Sequence, residues 1–440
     1  MPISGLGMTF KIALRNLVRH RRRTLLLSAA LAAVTALMIL LGGLAAGVRH
    51  TMLHTATTLS TGHLNVGGFF KVTAGQSSPV VTKYAEVLET VKKALPEMKY
   101  AVQRGRGWAK VVSDQGSMQA GINGIDVLAE PEFQKVLDIK SGDINQLSQP
   151  NTILLFEGQL EKLQVKVGDA ITISAQTSRG TSNTIDCRVV AIAKDIGLMS
   201  KWNVFVPAQT LRVLYQLRPD ATGAIHIHLD ENKLQDLSTL AARLRKSLTD
   251  AGYRVMEPNP QAFWMKFQGV NREDWTGQKL DVTTWEDELS FMTWTLTALQ
   301  VLSSVLLGIL VVILVAGIMN TMWIAIRERT REIGTLRAIG MQRGGVLRMF
   351  LVESLFLGLF GTTVGAALAA AIAAGINAMH ISVPIGVQFF LMSDHLSILV
   401  LPAALFSAVI TLSIITALAA FYPSLRAARL RPIEAMAHFG

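Results

Sequence analysis

The chain has 440 residues, of which half are apolar and 17% charged, and its mean hydropathy is +0.38. Such averages come from long membrane spans beside an ordinary soluble part; they exclude a disordered chain, a disulfide scaffold and a collagen-like chain. The net charge of +11 taken alone points to nucleic acid or an anionic membrane surface. Its placement decides between them. Residues 1–23, 324–348 and 424–440 carry +6, +4 and +2, each beside an apolar run, while 49–290 is nearly balanced. That is the positive-inside pattern, so no nucleic-acid partner is expected. Cys187 is the only cysteine, which excludes an intrachain disulfide and a Cys-based zinc site.

In chain order, Thr24 to Val48 is a run of 25 uncharged residues after Arg19, Arg21, Arg22 and Arg23. As a helix it is ~37 Å long, enough for a ~30 Å hydrocarbon core. It exceeds the apolar stretch of a cleaved signal, so a retained span is expected. The balanced stretch 49–288 is expected beyond the membrane. Within it Tyr84–Leu95 predicts a helix stopped by Pro96, and Lys99–Val112 and Met118–Ile125 predict strands about a Gly116 turn. A turn then strand is predicted across Val165–Ile173, strands at Ile185–Ala193 and Ala224–Leu229, and a helix at Lys233–Ala251. The alternation suggests an α/β unit from about 50–125 and 220–285, interrupted by a β-rich unit at about 126–215.

Leu289–Ile326 is 38 residues without a charge, longer than one crossing. It is expected to be a stalk continuing into span two, with Trp285 and Trp294 at the membrane–water interface. Met349–Met379 and Leu396–Leu425 are spans three and four, the latter kinked at Pro402, with Pro384 and Asp394 in the loop 380–395. The fold class expected is an α-helical membrane protein with four transmembrane helices and a large α/β plus β-rich extracytoplasmic domain inserted between helices 1 and 2. Both termini and the segment 327–348 then share the cytoplasmic side.

No G-x-x-x-x-G-K-[ST], H-E-x-x-H or G-x-S-x-G occurs, so neither a phosphate cradle nor a catalytic motif is recognisable. Work done across a membrane would need a partner's energy. The segment 324–348 is the most informative. Ile333, Leu336 and Ile339 recur every three residues on a short helix otherwise rich in Arg; Gly340 suits a left-handed cap and Gly344–Gly345 a turn into span three. On residues alone, this helix fits equally a groove in a cytoplasmic protein and a basic loop on anionic headgroups.

The run Glu328-Arg329-Thr330-Arg331-Glu332-Ile333-Gly334-Thr335-Leu336-Arg337-Ala338-Ile339-Gly340, with Phe350–Ser354 and Gly361, resembles the signature of FtsX/MacB-type ABC permeases. Pro423–Ala435 is similar to that family's C-terminus, and Leu14–Leu17 with Arg22–Leu25 to its N-terminal segment. The order of one span, a large ectodomain and three spans also matches. Thr61-Gly62-His63-Leu64-Asn65-Val66 looks most like the lipoprotein-releasing LolC/LolE permeases, and Leu160–Ile171 with Cys187–Ile192 resembles the β-rich subdomain of the whole group. MacB proper carries an ATPase before its first span, whereas this chain starts at that span, which favours the Lol-like layout.

The resemblance implies an ATPase-coupling helix formed by Glu328, Arg331, Glu332, Ile333, Gly334, Leu336, Arg337, Ala338, Ile339 and Gly340. It implies two copies of an ABC ATPase carrying ATP and magnesium, a second permease copy or homologue, and a periplasmic carrier or adaptor; this chain itself needs no cofactor. The function expected first is ATP-driven removal of lipoproteins or other amphiphiles from the outer leaflet of the cytoplasmic membrane, with span two as a lever on the ectodomain. The alternatives are MacB-like export of periplasmic substrates with an adaptor, and FtsX-like signalling to a cell-wall hydrolase.

Smaller features read mainly as structure. Gly358, Gly361 and Gly365 let transmembrane helices approach closely. Glu353, one turn inside span three, is expected to snorkel or to pair with an arginine of the coupling segment, for instance Arg348. His226 with His228, and His50 with His54, each offer half a metal site without a third ligand, so no metal is expected. Trp264, Phe267 and Trp275 fit core, interfacial anchor or substrate-facing patch.

Overall fold

The computed structural model describes residues 15, 21–73, 76–177, 180–384, 388 and 395–430. Most of the basic N-terminal segment, Asp394 and the tail from Arg431 onward lie outside the described residues. The longer helices, in chain order, are α1 (Arg21–Leu59), α2 (Tyr84–Ala94), α3 (Leu237–Asp250), α4 (Ser290–Glu328), α5 (Thr330–Ala338), α6 (Arg343–Met379) and α7 (Pro402–Ala428). The chain divides into two units, residues 1–49, 297–382 and 395–440 in one, and 50–296 with 383–394 in the other.

In the first unit, α1, α4, α6 and α7 are long and apolar enough to cross a membrane. Their common core gathers Leu31, Met322, Ile326, Met349, Phe350 and Ala420. Helix α1 outruns the charge-free stretch, continuing through Arg49, His50 and His54 to Leu59. Charged residues do not end a helix; the first glycine after Gly47 is Gly62. Two expectations are corrected here. Gly344 and Gly345 lie in the first turn of α6, whose N-cap is Gln342, and make no separate turn. Pro402 starts α7 instead of kinking it, because a residue without an N–H is tolerated at the first helical position. The preceding 395–400 stretch is not helical. Its Leu399 N–H donates to Gly43 O at 3.0 Å, and Asn377 exchanges two 2.9 Å hydrogen bonds with the Ile398 backbone. Gly47 permits this approach: a Cβ there would sit 2.1 Å from Ser397 O.

The second unit contains β1 (Leu64–Lys71), β2 (Ser77–Ser78), β3 (Met98–Val112), β4 (Ser117–Ile125), β5 (Ile139–Gly142), β6 (Thr152–Phe156), β7 (Ala170–Gln176), β8 (Ser182–Ala193), β9 (Asn203–Pro207), β10 (Ala224–Leu229) and β11 (Gly277–Thr284). They pair in the order β11-β1-β10-β3-β4-β9-β6-β8-β5, with β2 on β1 and β7 on β3 and β8. The α/β part is covered by α2 and α3. Leu237, Leu240, Ala241, Leu244 and Leu248 of α3 recur at helical spacing and are buried.

Strand β3 belongs to both parts. Residues up to Arg104 pair with β10, and Gly105–Val112 pair with β4. The expected α/β boundary at about 125 therefore moves back to about 104, and β4 joins the β-rich part. Glycines make the crossing possible: a Cβ on Gly107 would fall 2.3 Å from the Tyr215 hydroxyl, and one on Gly105 2.9 Å from Leu211.

Candidate functional site

The segment between α4 and α6 is built around a sharp break at Arg329, whose φ of −106° and ψ of 14° leave the helical region. Helix α5 closes with a Schellman arrangement. Met341 N–H donates to Leu336 O at 3.0 Å, Gly340 N–H donates to Arg337 O at 3.1 Å, and Gly340 takes φ +108°. Ile333 and Gly334 are buried, and Leu336 packs on the same apolar cluster as Met349 and Phe350. Ile339, the third member of the expected stripe, is instead 81% exposed. The inward face of α5 thus holds this chain's own core. Glu328, Arg331, Glu332, Thr335, Ala338, Ile339 and Gly340 are exposed. Arg337 ties α5 to the end of α7, its Nη1 donating to Ala428 O at 3.1 Å and to Leu430 O at 2.5 Å.

Arg329 is the buried centre of the break. Its Nη1 donates to Glu353 Oε2 at 2.9 Å and Oε1 at 3.2 Å, and its Nε to Glu332 Oε2 at 3.2 Å. The guanidinium also lies 5.3 Å from the centre of the Phe350 ring, a cation–π contact. Glu353 thus pairs with an arginine of the coupling segment, as expected, but with Arg329 and not the suggested Arg348, whose Nε donates to Gly344 O. Beside Glu353 lies a cavity of about 20 Å³ lined by Thr24, Leu27, Thr321, Met322, Ser354 and Leu357, room for about one water. Charge pairs of this kind fix an angle between helices; they offer no nucleophile or phosphate cradle.

Gly358, Gly361 and Gly365 of α6 serve contacts within this chain. A Cβ on Gly361 would come 2.8 Å from Leu31 Cβ, and one on Gly365 2.5 Å from Ala32 O, both on α1. A Cβ on Gly358 would meet Ser413 and Thr416 of α7 at 3.2 Å. Sequence reasoning missed Arg329, Asn377 and the pair Gly43 and Gly47. The G-x-x-x-G spacing of the last two was a readable signal; Arg329 carried no local one.

In the second unit, His226 and His228 lie on β10, both buried. Burial with Arg106 and Arg104 nearby holds His226 well below the usual imidazole range, and the same effect with His63 pushes His228 down to about 3. His226 Nε2 stands 3.1 Å from Arg106 Nη2, so it accepts from a cation instead of binding one; His228 stacks on Tyr100 at 4.4 Å. The His50 and His54 rings are parallel, 6.5 Å apart on α1. Among the described residues no three of His, Cys, Asp and Glu come together as a metal-ligand group. Trp285 is buried, its backbone N–H on His63 O at 3.1 Å, so the expected interfacial position is corrected to the domain core; the Trp294 side chain lies outside the described residues. Phe267 packs edge-on against Phe69, Trp275 receives Lys71 over its ring at 4.8 Å, and Trp264 is about half exposed.

Two protein families match the chain: MacB-like periplasmic core domain over residues 24–247, and FtsX-like permease C-terminal over residues 304–432. The macrolide export ATP-binding/permease protein MacB 2 of Yersinia pestis bv. Antiqua (strain Antiqua) is 26% identical over 257 residues, covering 58% of this chain and 32% of that protein. The MacB protein of Hahella chejuensis is 34% identical over 143 residues, covering 32% of this chain and 20% of its own length. The chain thus spans about a third or less of these relatives. Among solved structures, the extracellular domain of the noncanonic ABC-type transporter YknZ from Gram-positive bacteria aligns with a TM-score of 0.30 at 14% identity, covering 42% of this chain and 94% of that one. The periplasmic region of MacB from Actinobacillus actinomycetemcomitans aligns at 0.28 and 13%, covering 42% and 83%.

Proposed function

The chain belongs to the FtsX/MacB-type family of ABC transporter permeases, and from that premise we propose that it is the membrane subunit of a MacB-like exporter of periplasmic amphiphiles. It is a multi-pass inner-membrane protein with a large periplasmic domain. The sequence alone favours lipoprotein release; the periplasmic-core match and the MacB relatives favour export, the alternative reading.

In this reading a separate ATPase subunit, in two copies, binds ATP and magnesium and docks on the outward face of α5. The observation that carries it is the two-sided character of that helix. Ile333 and Leu336 lock it to the membrane core, while Arg331, Thr335, Ala338 and Ile339 stay exposed. A push on that face reaches α4 and α6 through Arg329 and Glu353. A second permease copy is expected along α4, which is exposed over much of its length, as at Ser304, Gly308, Val312 and Ala316. A periplasmic adaptor is the remaining partner.

The test is affinity isolation of the full chain from its native membrane, with identification of what co-purifies. An ABC ATPase together with a periplasmic adaptor supports export. An ATPase with a periplasmic lipoprotein carrier moves the assignment to lipoprotein release, and one with a cell-wall hydrolase moves it to signalling. Absence of any ATPase overturns the permease reading.

A further inference from the structure

Two arginines of β3, Arg104 and Arg106, are two positions apart on an extended strand and so project to one face. Both are buried; Arg104 holds the end of α1, and Arg106 holds Glu288, the last residue of a short helix (Trp285–Glu288) that leads into α4. Arg104 Nη1 donates to Leu59 O at 3.1 Å and Nη2 to Thr58 O at 2.9 Å, the last carbonyls of α1. Those carbonyls lack intrahelical partners and carry the negative end of the helix dipole, so a guanidinium suits them by hydrogen bonding and by charge. Its Nε donates to both Glu130 oxygens, at 2.9 and 3.0 Å, which fixes the fork in place.

Arg106 faces the other helix. Its Nη1 donates to Glu288 Oε1 at 3.4 Å, two residues before α4 begins at Ser290. Glu288 is held further by the Thr283 hydroxyl, which donates at 2.7 Å, and by Phe263 N–H at 3.4 Å. Arg106 itself lies 4.5 Å from the Phe263 ring centre and 3.1 Å from His226 Nε2. The strands that continue from these helix ends are neighbours: β1 follows α1, β11 leads to α4, and Leu64 pairs with Thr284.

We propose that Arg104 and Arg106 are a pair of positioning residues that fasten the outgoing end of α1 and the incoming end of α4 to one strand, so that the two helix ends shift as one body. Because β3 runs through both parts of the domain, a displacement delivered at either helix end enters both. Two independent local ties would use the same bonds; the shared strand and the β1–β11 pairing are what make the ends respond together. As a route for ATP-driven motion the pair rests on the permease reading. As a mechanical tie it does not.

The test is hydrogen exchange on the full chain in lipid nanodiscs, without any ATPase, comparing the parent with R104K and R106K. Lysine keeps the charge but places its donors on one nitrogen, without the planar fork that spans Glu130 and the Thr58 and Leu59 carbonyls, or Glu288 and His226. R104K is expected to raise exchange at least tenfold at residues 55–62 and also at 284–290, where Arg106 is intact; R106K is expected to do the reverse. Exchange in β6 and β8 should stay at the parent level, which separates loss of the tie from loss of the fold. An increase confined to the substituted side, or none, overturns the proposal. Should R104K fail to accumulate folded, R104Q/E130Q, which leaves no buried charge of the pair unpartnered, gives the same reading. Since no nucleotide or partner enters the measurement, its failure and the failure of the permease reading are distinguishable.

Discussion

Arg329, at the break between α4 and α5, holds both carboxylate oxygens of Glu353 on α6, at 2.9 and 3.2 Å, with neither side chain open to solvent. Removing one member strands a buried charge, which costs about 3–5 kcal/mol, whereas removing both with apolar replacements is often nearly neutral. R329M and E353M are each expected to lower the unfolding temperature of the full chain in nanodiscs, and R329M/E353M to lower it less than either. A double variant as unstable as the sum of the singles would show that the pair is not coupled.

The two sides of α5 predict opposite phenotypes. Ile333→Ala removes buried apolar volume and is expected to cost about 2–4 kcal/mol of stability. Ile339→Asp alters an exposed residue, so the melt should stay within about 0.5 kcal/mol of the parent, while ATPase co-purification falls. Co-purification at parent level with Ile339→Asp would place docking elsewhere.

The glycines of α6 should rank by what an added methyl would strike. Gly365→Ala meets a backbone oxygen at 2.5 Å, Gly361→Ala a side-chain Cβ at 2.8 Å, and Gly358→Ala only 3.2 Å contacts. Folded yield is expected to fall in that order, most for G365A. An inverted order would mean that α1 and α6 are not packed in this way.

His226 and His228 give the periplasmic domain a pH dependence of known sign. Both imidazoles are depressed below their ordinary value of ~6.5, His228 to about 3, so below pH 6.5 the unfolded chain binds more protons than the folded one. The stability is whole above pH 6.5 and is lost as pH falls; for His228 the loss runs down toward pH 3 at about 1.4 kcal/mol per pH unit, and His226 adds to it in the same direction. Denaturant melts of the full chain between pH 7.5 and 4.5, with His228→Phe retaining the ring against Tyr100, should show a shallower slope in the variant. An equal slope would remove His228 as a cause.

Topology is testable by single-cysteine labelling. Cys187 is buried and its thiol is pushed up to about 12, so the native background should be silent. Gln176 and Thr335 are both exposed positions. A membrane-impermeant reagent applied to the periplasmic face is expected to label a cysteine at 176 and spare one at 335. Equal labelling would contradict four crossings.

The four apolar helices were legible because a charge-free run of twenty or more residues has few alternatives. Alternating strands such as β8 and the helix α2 were legible by period. Strands β6 and β9 were not: Thr152–Phe156 and Asn203–Pro207 are almost wholly buried and show no alternation to read. Within the candidate site, a spacing of three advances 300° on a helix, so Ile339 falls about 120° from Ile333 and leaves the buried face. That an arginine of the coupling segment pairs with Glu353 was legible, but which one was not: Arg348 lies five residues away on the same helix, and Arg329 reaches Glu353 from the break between α4 and α5, which no local pattern reports.

The first strand of the periplasmic domain waits for its neighbours. β1 is flanked by β10 and β11, which come more than 150 and 200 residues later in the chain. During synthesis and translocation both of its long edges therefore stay unpaired until nearly the whole domain has crossed, and an open strand edge is a template for wrong partners. Biogenesis of this protein is committed late: a chain arrested anywhere before Ala224 presents β1 without either long neighbour.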